Sequence, residues 1–547
     1  MFAPNKLKRY AATLILLCAV LWFGTIGQRD LFDPDEGRYA GIPAAMVDTG
    51  DWLTPRLNDF KYFEKPVLQY WGTAVAFKLF GKSNATARLW TALLGFATAL
   101  FSMFVAFRLY GSRAALYAFG LSISYLMVVA FGHYLTLDMA LSAFLVMGIG
   151  SLVIAHSRQS SESQTRNWML IGWAALALAT LTKGLVAVVL PAATVVVYSA
   201  WQRDWGMWKK LHLVKGLLLF LLITAPWFVA VSTVNPEFAE FFFIHEHFDR
   251  YTSEVHSREG PIYYFIPFLL LGICPWLITS LRSLVSPEFR WLPDRPGQFD
   301  PERFMWTFAV VTFCFFSLGQ SKLPGYILPI LPIIAVISGA QMASRGAVAG
   351  DRWVMLFLAA FFLAGAFGIE YLASGHYPAE QWLAYKPWVI GSGLLLLLSF
   401  TVLSIRKIAR IPAFAAAAVL SLASGLLIIS GATALAESRS SKVIADIITQ
   451  TLPAGAPVYS FQYFPEAAAF YLGRPITIVE YEGEMAMGIR LEPEKFIKTQ
   501  DEFLAIWQNL DQAAVVLKLN RLKNLKVDAL KGRVVYKGPK TMVIIKS

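Results

Sequence analysis

The sequence predicts a polytopic α-helical membrane protein with a C-terminal α/β domain outside the bilayer, and three observations carry that prediction. Of the 547 residues, 56% are hydrophobic and 15% charged, whereas a soluble domain carries roughly a quarter charged residues. The apolar residues fall in runs of roughly 17 to 22, the length a helix needs to cross a hydrocarbon core about 30 Å thick. From about residue 434 those runs shorten to strand length and alternate with helix-like stretches.

Thirteen candidate spans follow, at about 11–27, 85–107, 114–131, 139–155, 168–181, 184–200, 216–234, 262–283, 304–319, 326–342, 353–372, 388–405 and 412–433. Short cytoplasmic loops collect Lys and Arg. With the N-terminus inside, the inside segments hold Lys6, Lys8, Arg9, Lys209, Lys210, Arg406, Lys407 and Arg410 among others. An odd span count then places the C-terminus outside. No small-x-small cleavage site precedes the first acidic cluster, so the first run reads as a retained helix and not a signal peptide.

The domains are thus 1–433, a membrane domain with long outside loops at 28–84 and 235–261, and 434–547, an outside α/β domain. In the first loop, Tyr39–Met46 has the period of an amphipathic helix lying on the membrane surface and roofing a cavity. In the last domain Val458–Phe461, Ile476–Val479, Ala513–Leu517 and Met542–Ile545 read as strands, and Pro465–Leu472 and Glu502–Leu510 as helices. It has no Gly-rich phosphate loop and no G-x-S-x-G motif, and reads as a support or gate.

A net charge of +12 raises the question of nucleic acid, but the cations punctuate apolar runs instead of forming a stripe. They read as topology signals and contacts to anionic membrane lipids, and no nucleic acid is expected. Cys18, Cys274 and Cys314 lie in apolar segments without paired spacing, which supports neither a disulfide framework nor a zinc motif.

Asp33-Pro34-Asp35-Glu36 follows the first span, and clustered carboxylates repel unless a proton, a cation or a metal compensates them. The bland alternative is a solvated turn at Pro34. Asp138 adds a second acid at the outside mouth of a span, where an N-cap role for it or for Thr136 is the alternative. Arg38, Lys61, Lys65, Lys183, Arg250, Arg258 and Lys322 are basic residues on the outside face, against the positive-inside bias. A lipid-borne phosphate explains them, since Lys and Arg at headgroup level bind phosphate through charge-assisted hydrogen bonds. Glu64 and His245 could bind zinc, manganese or magnesium, although His245 and His247 diverge on a helix.

Asp33–Tyr39, Gly50–Pro55, Tyr62–Pro66, Leu181–Gly184, Phe241–Arg250 and Ser321–Tyr326 together resemble a known family. It is that of the membrane glycosyltransferases of the C-type (GT-C) fold that use polyprenyl-phosphate sugars, relatives of protein O-mannosyltransferases. Within it they look like the transferases that move 4-amino-4-deoxy-L-arabinose from undecaprenyl phosphate to lipid A. The resemblance implies catalytic roles for Asp35 and Asp138, and carrier-phosphate contacts from Lys65, Lys183 and Arg250. It also implies substrate contacts from Arg38, Tyr39, Tyr62, Lys322 and Tyr326. The partners it implies are a lipid-linked aminosugar donor and lipid A in the bacterial inner membrane. Rival readings are a hexosyltransferase acting on a protein hydroxyl or another glycan, a transporter or flippase, and a membrane scaffold; the sequence is silent on oligomeric state.

Overall fold

The computed structural model describes residues 4–157, 160–249, 260–284, 296–346, 350–524 and 530–546. Every predicted span falls on helix. Among the described residues seven helices are long and apolar enough to cross a membrane, or nine when two bent pairs each count as one. The remaining predicted spans lie on helices that are shorter or carry more charge, such as Val186–Gln202 and Glu162–Lys183. The chain is a multi-pass membrane protein.

Two spans predicted as continuous are broken. Ser112–Ser124 and Leu126–Gly132 meet at 62°, and Phe265–Gly272 and Leu277–Leu284 at 119°. Pro275 lies in the second break and lacks the N–H that would continue the helix. The freed groups satisfy each other, because the Leu126 N–H donates to the Cys274 carbonyl at 3.0 Å. Backbone leaves helical geometry at such depth only where its polar groups find partners. Trp276 locks the same junction by donating to the Ser124 hydroxyl at 2.8 Å.

The first long loop is ordered from end to end. Helix Asp35–Thr49 opens at Pro34 and closes at Gly50, whose φ of +76° returns its N–H to the Met46 carbonyl. A two-stranded hairpin follows, β1 (Arg56–Leu57) and β2 (Phe60–Lys61), turning at Asn58 and Asp59 with φ of 51° and 70°. Positive φ at both central residues is what a tight hairpin with the strand twist requires.

After Arg410–Gly431 the chain stays helical through Arg439, and the α/β unit starts at helix Lys442–Thr451. Its six strands are β3 (Val458–Phe461), β4 (Thr477–Val479), β5 (Phe496–Ile497), β6 (Ala513–Lys518), β7 (Arg533–Lys537) and β8 (Thr541–Lys546). They run in the order β5-β4-β3-β6-β8-β7, parallel from β5 to β6 and antiparallel beyond. The short β5, the outer β7 and helix Lys442–Thr451 have no counterpart in the predicted elements.

This unit sits on the first loop and covers the helix expected there. Helix Asp35–Thr49 buries Glu36, Arg38, Tyr39, Ile42 and Met46 and is covered by helix Glu466–Leu472. A Cβ on Gly37 would lie 2.3 Å from the Ala467 nitrogen, so only glycine permits this approach. At the hairpin tip the Asn58 amide exchanges two 2.8 Å hydrogen bonds with the Ile476 backbone. Arg56 holds Glu492 at 2.9 Å, and Lys495 reaches Asp59 at the same distance.

Candidate active site

The acidic turn Asp33–Glu36 splits into three environments. Glu36 is fully buried, its carboxylate shared by Arg29 and Arg88, with Arg88 Nε at 2.7 Å. The N–H groups of Phe32 and Leu135 add hydrogen bonds at 3.0 Å. Burial pushes the Glu36 acid up, but the two guanidinium charges outweigh it and hold the group at about 2. Asp33 turns away, accepting from the Ser441 hydroxyl and from the Ala467 N–H at 2.7 Å. Burial raises it to about 6. Asp35 alone keeps an open face: its side chain is 40% exposed, 3.5 Å from Arg38.

Around Asp35 the first loop assembles Arg38, Tyr39, Tyr62, Glu64, Lys65 and Tyr70. Arg38 is buried and ion-pairs at 2.6 Å with Glu484 of the C-terminal domain, which Tyr62 Oη also approaches at 3.3 Å. Tyr39 stacks on Tyr70 with ring centroids 6.1 Å apart. Burial first, and then nearby acids, raise all three phenols well above 10, so they remain neutral hydrogen-bond donors. Arg38 Nε and Tyr70 Oη are buried and have no hydrogen-bond partner among the described residues. Buried donors left open in this way require a partner beyond those contacts, a water or a bound group. Lys65 donates to the Glu64 carbonyl at 2.7 Å and stands 3.8 Å from its carboxylate.

A second group forms at the mouth of the membrane bundle. Asp138 lies in the first turn of helix Leu137–His156, where the helix dipole favours an acid. Neither alternative cap is made, since Thr136 makes no side-chain cap and its hydroxyl has no partner among the described residues. Lys183, in the last turn of Glu162–Lys183, ion-pairs with Asp138 and stands 4.5 Å over the Tyr326 ring. A Cβ on Gly325 would come within 2.6 Å of Asp138 Oδ2, so glycine brings the Ser321–Tyr326 segment onto the acid. Lys322 is buried and donates to the Gly319 carbonyl at 2.7 Å.

One apolar cluster joins the two groups, since Tyr39, Tyr62 and Tyr70 pack with Leu135, Leu137 and Leu181. Tyr134 feels the charges of both Glu36 and Asp35. Arg250, Arg258 and the side chain of His245 lie outside the described residues, as do the other residues from 251 to 259 of the second long loop. Among the described residues no group of three or more His, Cys, Asp or Glu could hold a metal. Glu64 offers one buried carboxylate, so a divalent ion would need a further ligand from the segment around His245.

Sequence reasoning missed Arg29, Arg88 and Glu484. An arginine such as Arg88, at the outer end of an apolar span, is a signal that could have been read, because a charge there needs a partner. Glu484 carries no local signal; its role exists only once the α/β unit docks.

Residues 9–242 match the family model of dolichyl-phosphate-mannose-protein mannosyltransferases, and residues 444–546 that of the aminoarabinose transferase C-terminal domain. The undecaprenyl phosphate-alpha-4-amino-4-deoxy-L-arabinose arabinosyl transferase of Shewanella sediminis is 31% identical over 396 residues, 71% of this chain and 70% of that protein. The enzyme of the same name from Aeromonas salmonicida is 31% identical, over 67% of this chain and 65% of its own. The crystal structure of ArnT from Cupriavidus metallidurans bound to undecaprenyl phosphate superposes with a TM-score of 0.90 at 33% identity, covering 98% and 97% of the two chains. An oligosaccharyltransferase from Archaeoglobus fulgidus, at 12% identity and a TM-score of 0.53 over 95% and 70% of the chains, shares the fold alone.

Proposed function

The chain belongs to the undecaprenyl phosphate-4-amino-4-deoxy-L-arabinose arabinosyl transferases, membrane glycosyltransferases, and from that premise we propose that it moves this aminosugar from undecaprenyl phosphate to a phosphate of lipid A. The reaction takes place at the periplasmic face of the bacterial inner membrane, with the N-terminus cytoplasmic and the α/β unit periplasmic. Modified lipid A carries fewer net negative charges, and resistance to cationic peptides such as polymyxin follows. The observation that carries the reading is the pair of buried donors, Arg38 Nε and Tyr70 Oη, left open beside the one accessible carboxylate, Asp35.

A lipid A phosphate oxygen attacks the anomeric carbon and forms the new C–O bond. The bond from that carbon to the carrier oxygen breaks, and its electron pair leaves with undecaprenyl phosphate. The acceptor is already an anion near neutral pH, so no strong base is needed, and one displacement inverts the configuration. Asp35 orients the sugar, pairs with its 4-ammonium and stabilises positive charge at the anomeric carbon. Lys65, Lys183 and Arg250 stabilise the departing phosphate, and Asp138 fixes the Lys183 ammonium. Arg38, Tyr39, Tyr62, Lys322 and Tyr326 complete the substrate pocket.

Glu64 and His245 are proposed ligands for a divalent cation, zinc, manganese or magnesium, which would share the charge of the leaving phosphate when bound. Dialysis against a chelator then lowers transfer by about tenfold or more, with recovery on adding zinc or manganese; an unchanged rate removes the metal from the scheme.

Mass spectrometry of lipid A from cells with and without the protein tests the function. The expected result is an added mass of one aminoarabinose. An unchanged lipid A overturns the acceptor assignment and turns attention to protein hydroxyls, the acceptor class named for the family matched over residues 9–242.

A further inference from the structure

A cavity of about 290 Å³ lies between the Asp33–Pro34 turn, the end of the last membrane helix and the C-terminal sheet. Asp33, Arg439, Tyr463, Glu466, Lys518 and Lys540 line it. The reacting centre described above lies beyond the same turn, on Asp35.

Three cations converge on this cavity. Lys518 stands 4.3 Å over the Tyr463 ring and Lys540 4.5 Å over the Tyr377 ring. Arg439 and Lys540 both donate to Tyr377 Oη, at 3.4 and 3.3 Å. None of the three forms an ion pair with a carboxylate among the described residues. Aromatic rings hold them in place in the cavity wall. Burial lowers the Lys518 ammonium from its usual range; Glu466 and Asp33 pull it back up, and Lys540 and Arg521 add to the fall.

Three acids share the wall, Asp33, Glu437 and Glu466. Asp33 is occupied by Ser441 and the Ala467 N–H. Burial and the Asp33 charge push the Glu466 carboxyl up, which favours its protonated form. Glu437 is engaged by Tyr536 at 3.2 Å and Gln381 at 3.3 Å.

We propose that this cavity is a second anion site, holding the phosphoryl group of a phosphate mono- or diester between Lys518, Lys540 and Arg439. Planar and point cations around a shared hydroxyl match the three oxygens of a phosphoryl group. Arg439 ends the helical continuation of the last membrane helix, and Tyr377 lies between two further membrane helices, so the cavity stands at headgroup depth. Its phosphoryl group can come from a membrane lipid or from free phosphate.

The test uses the full chain in dodecyl maltoside micelles, which carry no phosphate, compared with the Lys518→Gln/Lys540→Gln double variant. Inorganic phosphate, against chloride at matched ionic strength, raises the melting temperature of the unsubstituted protein, with affinity at least about tenfold weaker in the variant. Maltoside micelles doped with phosphatidylglycerol form the second arm. A variant-sensitive response to the lipid alone identifies a headgroup, and one to phosphate identifies the free ion. If neither probe separates the two proteins, the proposal is overturned. Should the double variant fail to fold, Arg439→Gln decides: weakened responses support the site, and unchanged responses sink it.

Discussion

Asp35→Asn is expected to lower aminosugar transfer by about 10²–10³-fold while leaving the protein folded and inserted. Loss of a charge aimed at a developing charge in a water-poor site has effects of that size. The fold does not depend on Asp35: its side chain is 40% exposed and its described ion-pair partner, Arg38, is held more closely by Glu484. Transfer from a purified donor, measured beside size-exclusion and melting profiles, separates the two effects. Near-normal transfer by a monodisperse variant would remove Asp35 from the mechanism.

One residue on, the expectation reverses. Glu36→Gln leaves Arg29 and Arg88 buried without a counter-charge, and breaking a buried ion pair costs about 3–5 kcal/mol. Set against a total of roughly 5–15 kcal/mol for a folded domain, the loss shows as poor yield and a strongly lowered melting temperature before any question of rate arises. The same group has a pH signature. Glu36 sits at about 2 in the fold against an ordinary 4.5, so its stabilisation is complete above 4.5 and disappears as pH falls through about 2. An acid titration of melting temperature in which Glu36→Gln keeps the parent's slope between those values would refute the assignment.

Asp33, Asp35 and Glu36 also mark the limit of what the sequence makes legible. The membrane spans are readable because a run of some 20 apolar residues has few other uses. The acidic turn is readable as unusual for the same reason, since its charge lies beside the bilayer. Which of its acids faces substrate is not written locally: Glu36 is claimed by Arg88 from 52 residues away, and Asp33 by Ser441 from 408 residues away. Lys183 and Asp138 were each legible as misplaced charges, whereas their direct pairing depends on how two helices pack. The breaks at Tyr125 and Pro275 passed as continuous spans because both halves are apolar, and hydropathy does not register direction. The C-terminal unit read as a support without chemistry of its own, and Glu484 shows why: a single acid on a short turn becomes meaningful only against Arg38.

The long reach of these contacts bears on how the protein is made. The turn carrying Asp35 is synthesised early, while Ser441, the Ala467 N–H that Asp33 accepts 434 residues along the chain, and Glu484 are still untranslated. Until they arrive, the carboxyl of Asp33 and the guanidinium of Arg38 lack their closest partners. The acidic turn therefore gains its final contacts last although it is born first, and a chain interrupted in biogenesis presents a membrane bundle without them.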